Sequence, residues 1–199
     1  MLMNKIIAFV CCLVLSKAAL AQKDSLALDD RGKYIYYKVA SLDKYSADTL
    51  YNRSLRFFER VAKDKEFKIT AQDAKIVSIS GSGFFTISKP SMAKHADGQI
   101  AYTLKMEIKG SKYRYWLTDF VYTPYFRDRY NNYVPDKGIE APLEKPSKYI
   151  TEIELHKYLD QSAQFSRQVG ERLKKSISTE NMPLKVKLDT TRRVHIDKW

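Results

Sequence analysis

Two alternating runs, Gln99 to Ile108 and Lys112 to Tyr122, constrain the fold of this chain more than any other segment. They are separated by Lys109-Gly110, which predicts an antiparallel hairpin with a two-residue turn. With that turn, Ile108 faces Ser111, and Met106, Leu104 and Tyr102 lie opposite Tyr113, Tyr115 and Leu117. One face is then wholly apolar and needs a cover. The other sets Glu107 against Lys112, Lys105 against Arg114 and Thr103 against Trp116. A slip of one residue would scramble both faces.

The flanking segments supply the cover. Lys33 to Val39 alternates Ile35, Tyr37 and Val39 against Tyr34, Tyr36 and Lys38, a strand pattern that follows the break at Asp30-Arg31-Gly32. Ser46 is an N-cap, and Leu50, Ser54, Phe57, Phe58 and Val61 recur at helical spacing to about Lys63. Phe67 to Gln72 and Lys75 to Ser88 read as strands joined at Asp73-Ala74. Val77, Ile79, Phe85 and Ile87 share one face of the second, with Ser78, Ser80, Ser82 and Thr86 on the other. Gly81 and Gly83 interrupt its apolar face, which calls for a bulge, a bend or a close-packed helix. This Gly-Ser-Gly opens no helix, so it does not read as a phosphate loop. Residues 124–147, with Pro124, Pro135, Pro142 and Pro146, read as a long loop. Helical spacing returns from Lys148 to Ser178, with Leu155, Tyr158, Leu159, Phe165, Val169, Leu173 and Ile177 in a stripe and an easing or bend at Gly170. Residues 179–199 form a basic tail with one possible strand near Leu184 to Leu188.

The amino terminus carries an export signal. Lys5 gives a positive start, Ile6 to Leu15 an apolar stretch, and Ala19-Leu20-Ala21 a cleavage site, so 1–21 is expected to be removed after Ala21 and the chain to work in the periplasm or outside the cell. The apolar stretch is too short to span a bilayer, and no transmembrane segment is expected in the mature chain. Cys11 and Cys12 leave with it, so stability must come from a hydrophobic core rather than from disulfides. The formal charge of +12, less Lys5 and Lys17 of the leader, leaves a strongly basic mature chain, which reads either as a soluble surface with no anionic partner or as a field for polyanions. Export argues against nucleic acid as the natural one.

The order is strand, helix, four-strand meander, helix. Together with Gly32-Lys-Tyr-Ile-Tyr-Tyr37, Leu50-Tyr51, Lys75-Ile-Val-Ser-Ile-Ser-Gly81 and Ile108-Lys-Gly-Ser-Lys-Tyr-Arg-Tyr115, it resembles a family of exported bacterial domains of unknown function with a TATA-binding-protein-like fold. The resemblance covers about Asp29 to Tyr122, a core taken as 29–123 that the helix 148–178 completes. It implies an α+β fold, a curved antiparallel five-stranded sheet with both helices on its convex face and the other face open. In the DNA-binding relative that face grips a minor groove. Shared folds do not share function, and the family brings no active site with it.

On the open face the resemblance would place Ser78, Ser80, Thr86, Thr103, Lys105, Lys112, Arg114 and Trp116. Lys105 opposite Arg114 is a like-charge pair, offset either by Glu107 on the diagonal or by an anionic ligand beside Trp116. Lys105, Arg114, Trp116, Thr103 and Lys112 are therefore the candidate ligand face. Tyr125, Phe126, Arg127, Arg129 and Tyr130 are a candidate partner loop for sugar or protein, unless the loop folds back over the sheet edge. No catalytic, cofactor or metal site is expected. His95-Ala-Asp97 lacks a second ligand pair. Glu152, His156 and Asp160 read as a solvated helix face. Nucleophile motifs are missing. Asp29, Asp30 and Asp119 are the remaining candidates for paired acids. The sequence favours a non-catalytic binding or scaffolding domain acting on an envelope protein or polymer. The alternative is an anion-binding module for acidic glycan or lipid headgroups, with a hydrolase third.

Overall fold

A computed structural model describes residues 25–88 and 96–179. Ten elements follow one another: β1 (Ala27–Leu28), β2 (Tyr34–Ser41), α1 (Ala47–Val61), β3 (Phe67–Asp73), β4 (Ser78–Ser88), β5 (Ala96–Lys109), β6 (Lys112–Arg127), β7 (Tyr133–Pro135), β8 (Ala141–Pro142) and α2 (Glu152–Thr179). All strands join one antiparallel sheet in the order β1-β2-β6-β5-β4-β3, and β7 and β8 also pair with β6. The fold is α+β as expected, with eight strands where five were predicted.

The β5–β6 hairpin keeps both predicted faces but not the predicted partners. Its turn is Gly110-Ser111, so Ile108 pairs with Tyr113, Glu107 with Arg114, Met106 with Tyr115, Lys105 with Trp116 and Leu104 with Leu117. Gly110 sits at φ +62° in the first central position. A turn centred on Lys109-Gly110 would need Lys109 there as well, which costs a side-chain residue more than glycine. The shift is two residues, and two is the period of a strand, so no side chain changes face. The predicted Lys105–Arg114 opposition does not exist.

Farther along β6 the phase does change. Register slips between Ala101 and Thr103, where Asp119 bulges out of β6 at φ +57°. Buried residues run Tyr113, Tyr115, Leu117 before the bulge and Phe120, Tyr122 after it. Leu50, Phe57 and Phe58 of α1 and Tyr158, Leu173 and Ile177 of α2 meet this row together with Ile79, Ile100 and Leu104. From β2 it is Tyr36 that enters the core, while Tyr37 and Val39 point out on the opposite face.

Both helices begin with side-chain caps. Ser46 Oγ accepts from Thr49 N–H at 3.3 Å, as predicted. The long helix starts at a capping box rather than at Lys148: Thr151 Oγ1 accepts from Glu154 N–H at 3.3 Å while Glu154 Oε2 accepts from Thr151 N–H at 3.0 Å. Lys148 instead lies in a tight turn closed by mutual Ser147–Ile150 backbone bonds, with Ile150 fully buried.

The predicted loop 124–147 is partly built into the sheet. Strand β6 continues through Pro124 to Arg127, β7 pairs with residues 125–127, and β8 pairs with Val121 and Tyr122. Leu143 is buried and donates its N–H to Phe120 O at 3.1 Å. Strands of two and three residues bounded by prolines are too short to show a period.

Glycines mark close approaches. The Phe67 ring lies over Gly81 and Gly83, and a β-carbon at Gly83 would sit 2.8 Å from Phe67 Cδ2. A ring from the adjacent strand, beside a β3 bulge at Thr70, thus explains the pair; no helix does. Gly170 does not interrupt α2. It makes room for Tyr115, whose Cζ would lie 2.7 Å from an added β-carbon. Gly170→Ala should therefore destabilise the protein by about 1–3 kcal/mol through overpacking, against the roughly 1 kcal/mol gain alanine brings to an ordinary helix. Urea denaturation measures the sign, and Tyr115→Phe should recover part of the loss.

Candidate functional site

Opposite the helices, side chains from neighbouring strands line up in rows. Ser80 of β4, Lys105 of β5, Trp116 of β6 and Tyr37 of β2 are consecutive cross-strand partners. The next row runs Ser78, Glu107, Arg114, Val39. Thr103 lies between Ser82 and Thr118 in the row on the other side. The predicted ligand face is thus assembled, with different neighbours. Arg114 Nε donates to Glu107 at 2.7 Å, and its guanidinium lies 5.6 Å from the Trp116 ring centre. The hydrogen bond to Glu107, and secondarily one to Tyr37, raises the Arg114 pKa further. The Trp116 and Tyr37 rings are 6.4 Å apart.

Like charges do face one another, one step nearer the turn, where Lys109 pairs with Lys112. Asp43 stands close by. Its carboxylate accepts from Ser41 and Ser111 hydroxyls at 2.6 and 3.1 Å, and these bonds, with a smaller contribution from Lys112, lower its pKa.

This end of the face is concave. A groove of about 570 Å³ is lined by Tyr37 and Val39, by Ile76 from the β3–β4 turn, by Glu107 and Arg114, and by Lys75, Lys109 and Lys112. Ile76 is 65% exposed. The turn that presents it is tied down: Asp73 Oδ1 accepts from Lys75 and Ile76 N–H at 2.8 and 3.2 Å, and Val77 O accepts from Ile108 N–H at 3.1 Å. Val77 adopts φ +51°, a conformation a β-branched residue takes only when its surroundings impose it. Sequence reading passed over Tyr37, Val39 and Ile76. The available signal was β2, which carries apolar residues on both faces and so cannot bury them all under one helix layer. A second concavity of about 380 Å³ on the same face includes Thr103, Lys65, Lys68 and Asp119.

The partner-loop residues belong to a hairpin at the far end of β6. Tyr125 donates to Gln99 at 3.2 Å, and Arg127 donates to the Tyr133 hydroxyl at 2.9 Å. The Arg129 guanidinium is 5.0 Å from the Tyr130 ring centre, and Tyr130 is 71% exposed at the tip. Phe126 is exposed too. Asp128 forms the turn by accepting from Tyr130 and Asn132 N–H, each at 2.8 Å. The distance along β6 from Arg114 to Arg127 is about 40 Å at strand rise, so hairpin and groove are separate surfaces.

Structural partners occupy two of the three candidate acids. Asp29 and Asp119 both approach the Arg31 guanidinium, at 2.8 and 3.8 Å. The Lys33 N–H, and then Arg31, hold the Asp29 pKa below the ordinary carboxylate value. Asp30 is exposed. Asp97 accepts from the buried Tyr158 hydroxyl at 2.6 Å, and burial followed by that bond raises the tyrosine's pKa. His95 and His195 lie outside the described residues. Glu152, His156 and Asp160 are exposed on α2. Among the described residues no group of three or more His, Cys, Asp or Glu is placed to hold a metal, and no helix is long and apolar enough to cross a membrane.

With the architecture established, comparison with known proteins identifies the fold. Residues 36–123 match the family model of a domain of unknown function, DUF4468, with TBP-like fold. That stretch of the chain is similar to this family. A TBP-like protein from Parabacteroides distasonis is similar in structure at a TM-score of 0.61 and 13% identity, over 77% of this chain and 97% of that one. A DUF4468 family protein from Bacteroides ovatus is similar at a TM-score of 0.57 and 15% identity, over 80% of this chain and 94% of that one. At such identity the two likenesses speak for the fold alone. No curated protein matches the chain.

The open sheet face and the distant hairpin each give a prediction. Arg114→Ala should cost at most about 1 kcal/mol in chemical denaturation, because the Glu107 pair is exposed. Asp128, whose pKa is lowered chiefly by the Asn132 N–H, should stabilise its hairpin above the ordinary carboxylate range. That contribution should be lost as pH falls through its lowered pKa. The Asn132 amide shift in an NMR titration measures where.

Proposed function

We propose that this protein is a non-catalytic binding domain of the cell envelope, exported by its N-terminal signal, and that the groove on the open sheet face receives an envelope protein or polymer. The observation that carries this reading is the exposure of Tyr37, Val39 and Ile76 together around one concavity, with Ile76 presented by a strained and hydrogen-bonded turn. Large exposed apolar side chains gathered around one concavity with polar groups among them suit an interaction site. The hairpin bearing Phe126 and Tyr130 offers a second contact to the same or another partner.

The alternative, an anion site for acidic glycan or lipid headgroups, is favoured by Lys109 opposite Lys112 with Lys75 on the same groove. Salt separates the two. A photo-crosslinker at Ile76 in the expressing cell should trap a defined envelope component, whereas one at exposed Gln164 on α2 should not. The trapped complex should survive a rise from about 50 to 200 mM salt, a change that weakens phosphate-type contacts by orders of magnitude. Tyr37→Ala should weaken it at least fivefold. Equal trapping at both positions rejects the groove, and loss in salt selects the anion reading. N-terminal sequencing of the extracytoplasmic protein should begin at Gln22.

A further inference from the structure

The helix layer holds a further concavity, on the side of the molecule opposite the open face. Phe57, Arg60 and Val61 of α1 and Arg172, Lys175 and Ser176 of α2 line a groove of about 530 Å³. It shares Phe57, Val61, Asp64 and Arg172 with a smaller inner cavity of about 100 Å³, whose other walls include Phe67, Tyr102, Leu104, Phe165 and Val169. The chemistry changes with depth: cations at the outer groove, aromatic and aliphatic walls inside. Asp64 borders both parts and Glu66 the inner one, so three cations meet two acids.

Ser176 gives an independent sign that the groove is built to hold something. Buried serines elsewhere on the two helices satisfy themselves by donating to the carbonyl one turn back: Ser54 to Leu50 at 2.6 Å, Ser162 to Tyr158 at 2.8 Å and Ser166 to Ser162 at 2.7 Å. Ser176 is more than nine-tenths buried, and its hydroxyl has no hydrogen-bond partner among the described residues. A buried hydroxyl left unpaired is costly, and native structures rarely keep one without a reason. This one lines the groove beside Arg172 and Lys175.

We infer that this cavity between α1 and α2 is a binding site for a small amphiphilic carboxylate, whose head is held by Arg172, Lys175 and the Ser176 hydroxyl and whose apolar body enters among Phe57, Phe165 and Val169. The volumes suit a ligand of modest size, and a mostly apolar wall with a few converging polar groups is the usual construction of such sites. Arginine and a hydroxyl together offer the donors a carboxylate accepts. The rival occupant is the chain's own segment 180–199, which continues from Thr179 on the groove wall. Its charge argues against it, since lysines and arginines outnumber acids there and the groove is itself cationic.

Straight-chain carboxylates from butanoate to octanoate, titrated into the purified protein by NMR and calorimetry, test the assignment. Affinity should rise about fourfold per methylene until the inner cavity is filled. Octanoate should bind at least tenfold more tightly than octanol. Shifts should centre on Val169, Arg172 and Ser176, and Arg172→Ala should weaken octanoate about tenfold and octanol much less. The unmodified protein alone can overturn the proposal. Affinity that ignores chain length, octanol binding as tight as octanoate, shifts centred on the open sheet face, or no binding at all would each do so.

Discussion

The pairing of β5 with β6 is the constraint on which the rest of the molecule depends. These are the two longest strands, and they lie at the middle of the sheet. Their register decides which side chains meet the helices and which meet solvent. Gly110 sets that register by supplying the positive φ of a tight turn, and the Asp119 bulge resets the phase so that Phe120 and Tyr122 extend the buried row begun by Tyr113, Tyr115 and Leu117. Tyr115 then fixes the position of α2, because its ring occupies the space at Gly170 where any side chain would collide.

Much of this was legible in the sequence because strand and helix periods are strong signals over long segments. The two faces of the hairpin, the Ser46 cap and the α2 stripe all follow from period and capping chemistry. The pairing partners did not, since a shift of two residues leaves every face unchanged and only turn geometry distinguishes the alternatives. Residues 124–147 read as loop because β7 and β8, of three and two residues, are too short to show a period, and β8 pairs with residues some twenty positions earlier. The candidate site was half legible. Lys105, Arg114, Trp116, Thr103 and Lys112 do share one face, but the groove owes its shape to Tyr37, Val39 and Ile76. The exposure of Tyr37 and Val39 depends on which side of β2 the helices cover, and that of Ile76 on the path of the β3–β4 turn, both tertiary facts.

The distribution of charge separates the protein's structural and available surfaces. Asp29 and Asp119 both pair with Arg31, and Lys33 pairs with Glu144 at 3.4 Å, all around the start of β2 and the β6 bulge. Arg114 is committed to Glu107. The lysines around the groove are arranged differently, with two placed face to face at the hairpin turn. A sheet that covers one side with helices and leaves the other to solvent must keep that second side soluble, and exposed lysines do so beside the apolar cluster.

The bulge at Thr70 has a consequence for self-association. Strand β3 closes one side of the sheet, so its outward N–H and C=O groups are a template on which another copy could extend the sheet. The irregular step between Ile69 and Ala71 breaks the regular spacing that such an addition needs, and exposed Lys68 places a charge beside it. At the opposite border β1 is only two residues long. The irregular step and the charge beside it both work against sheet growth through the β3 border.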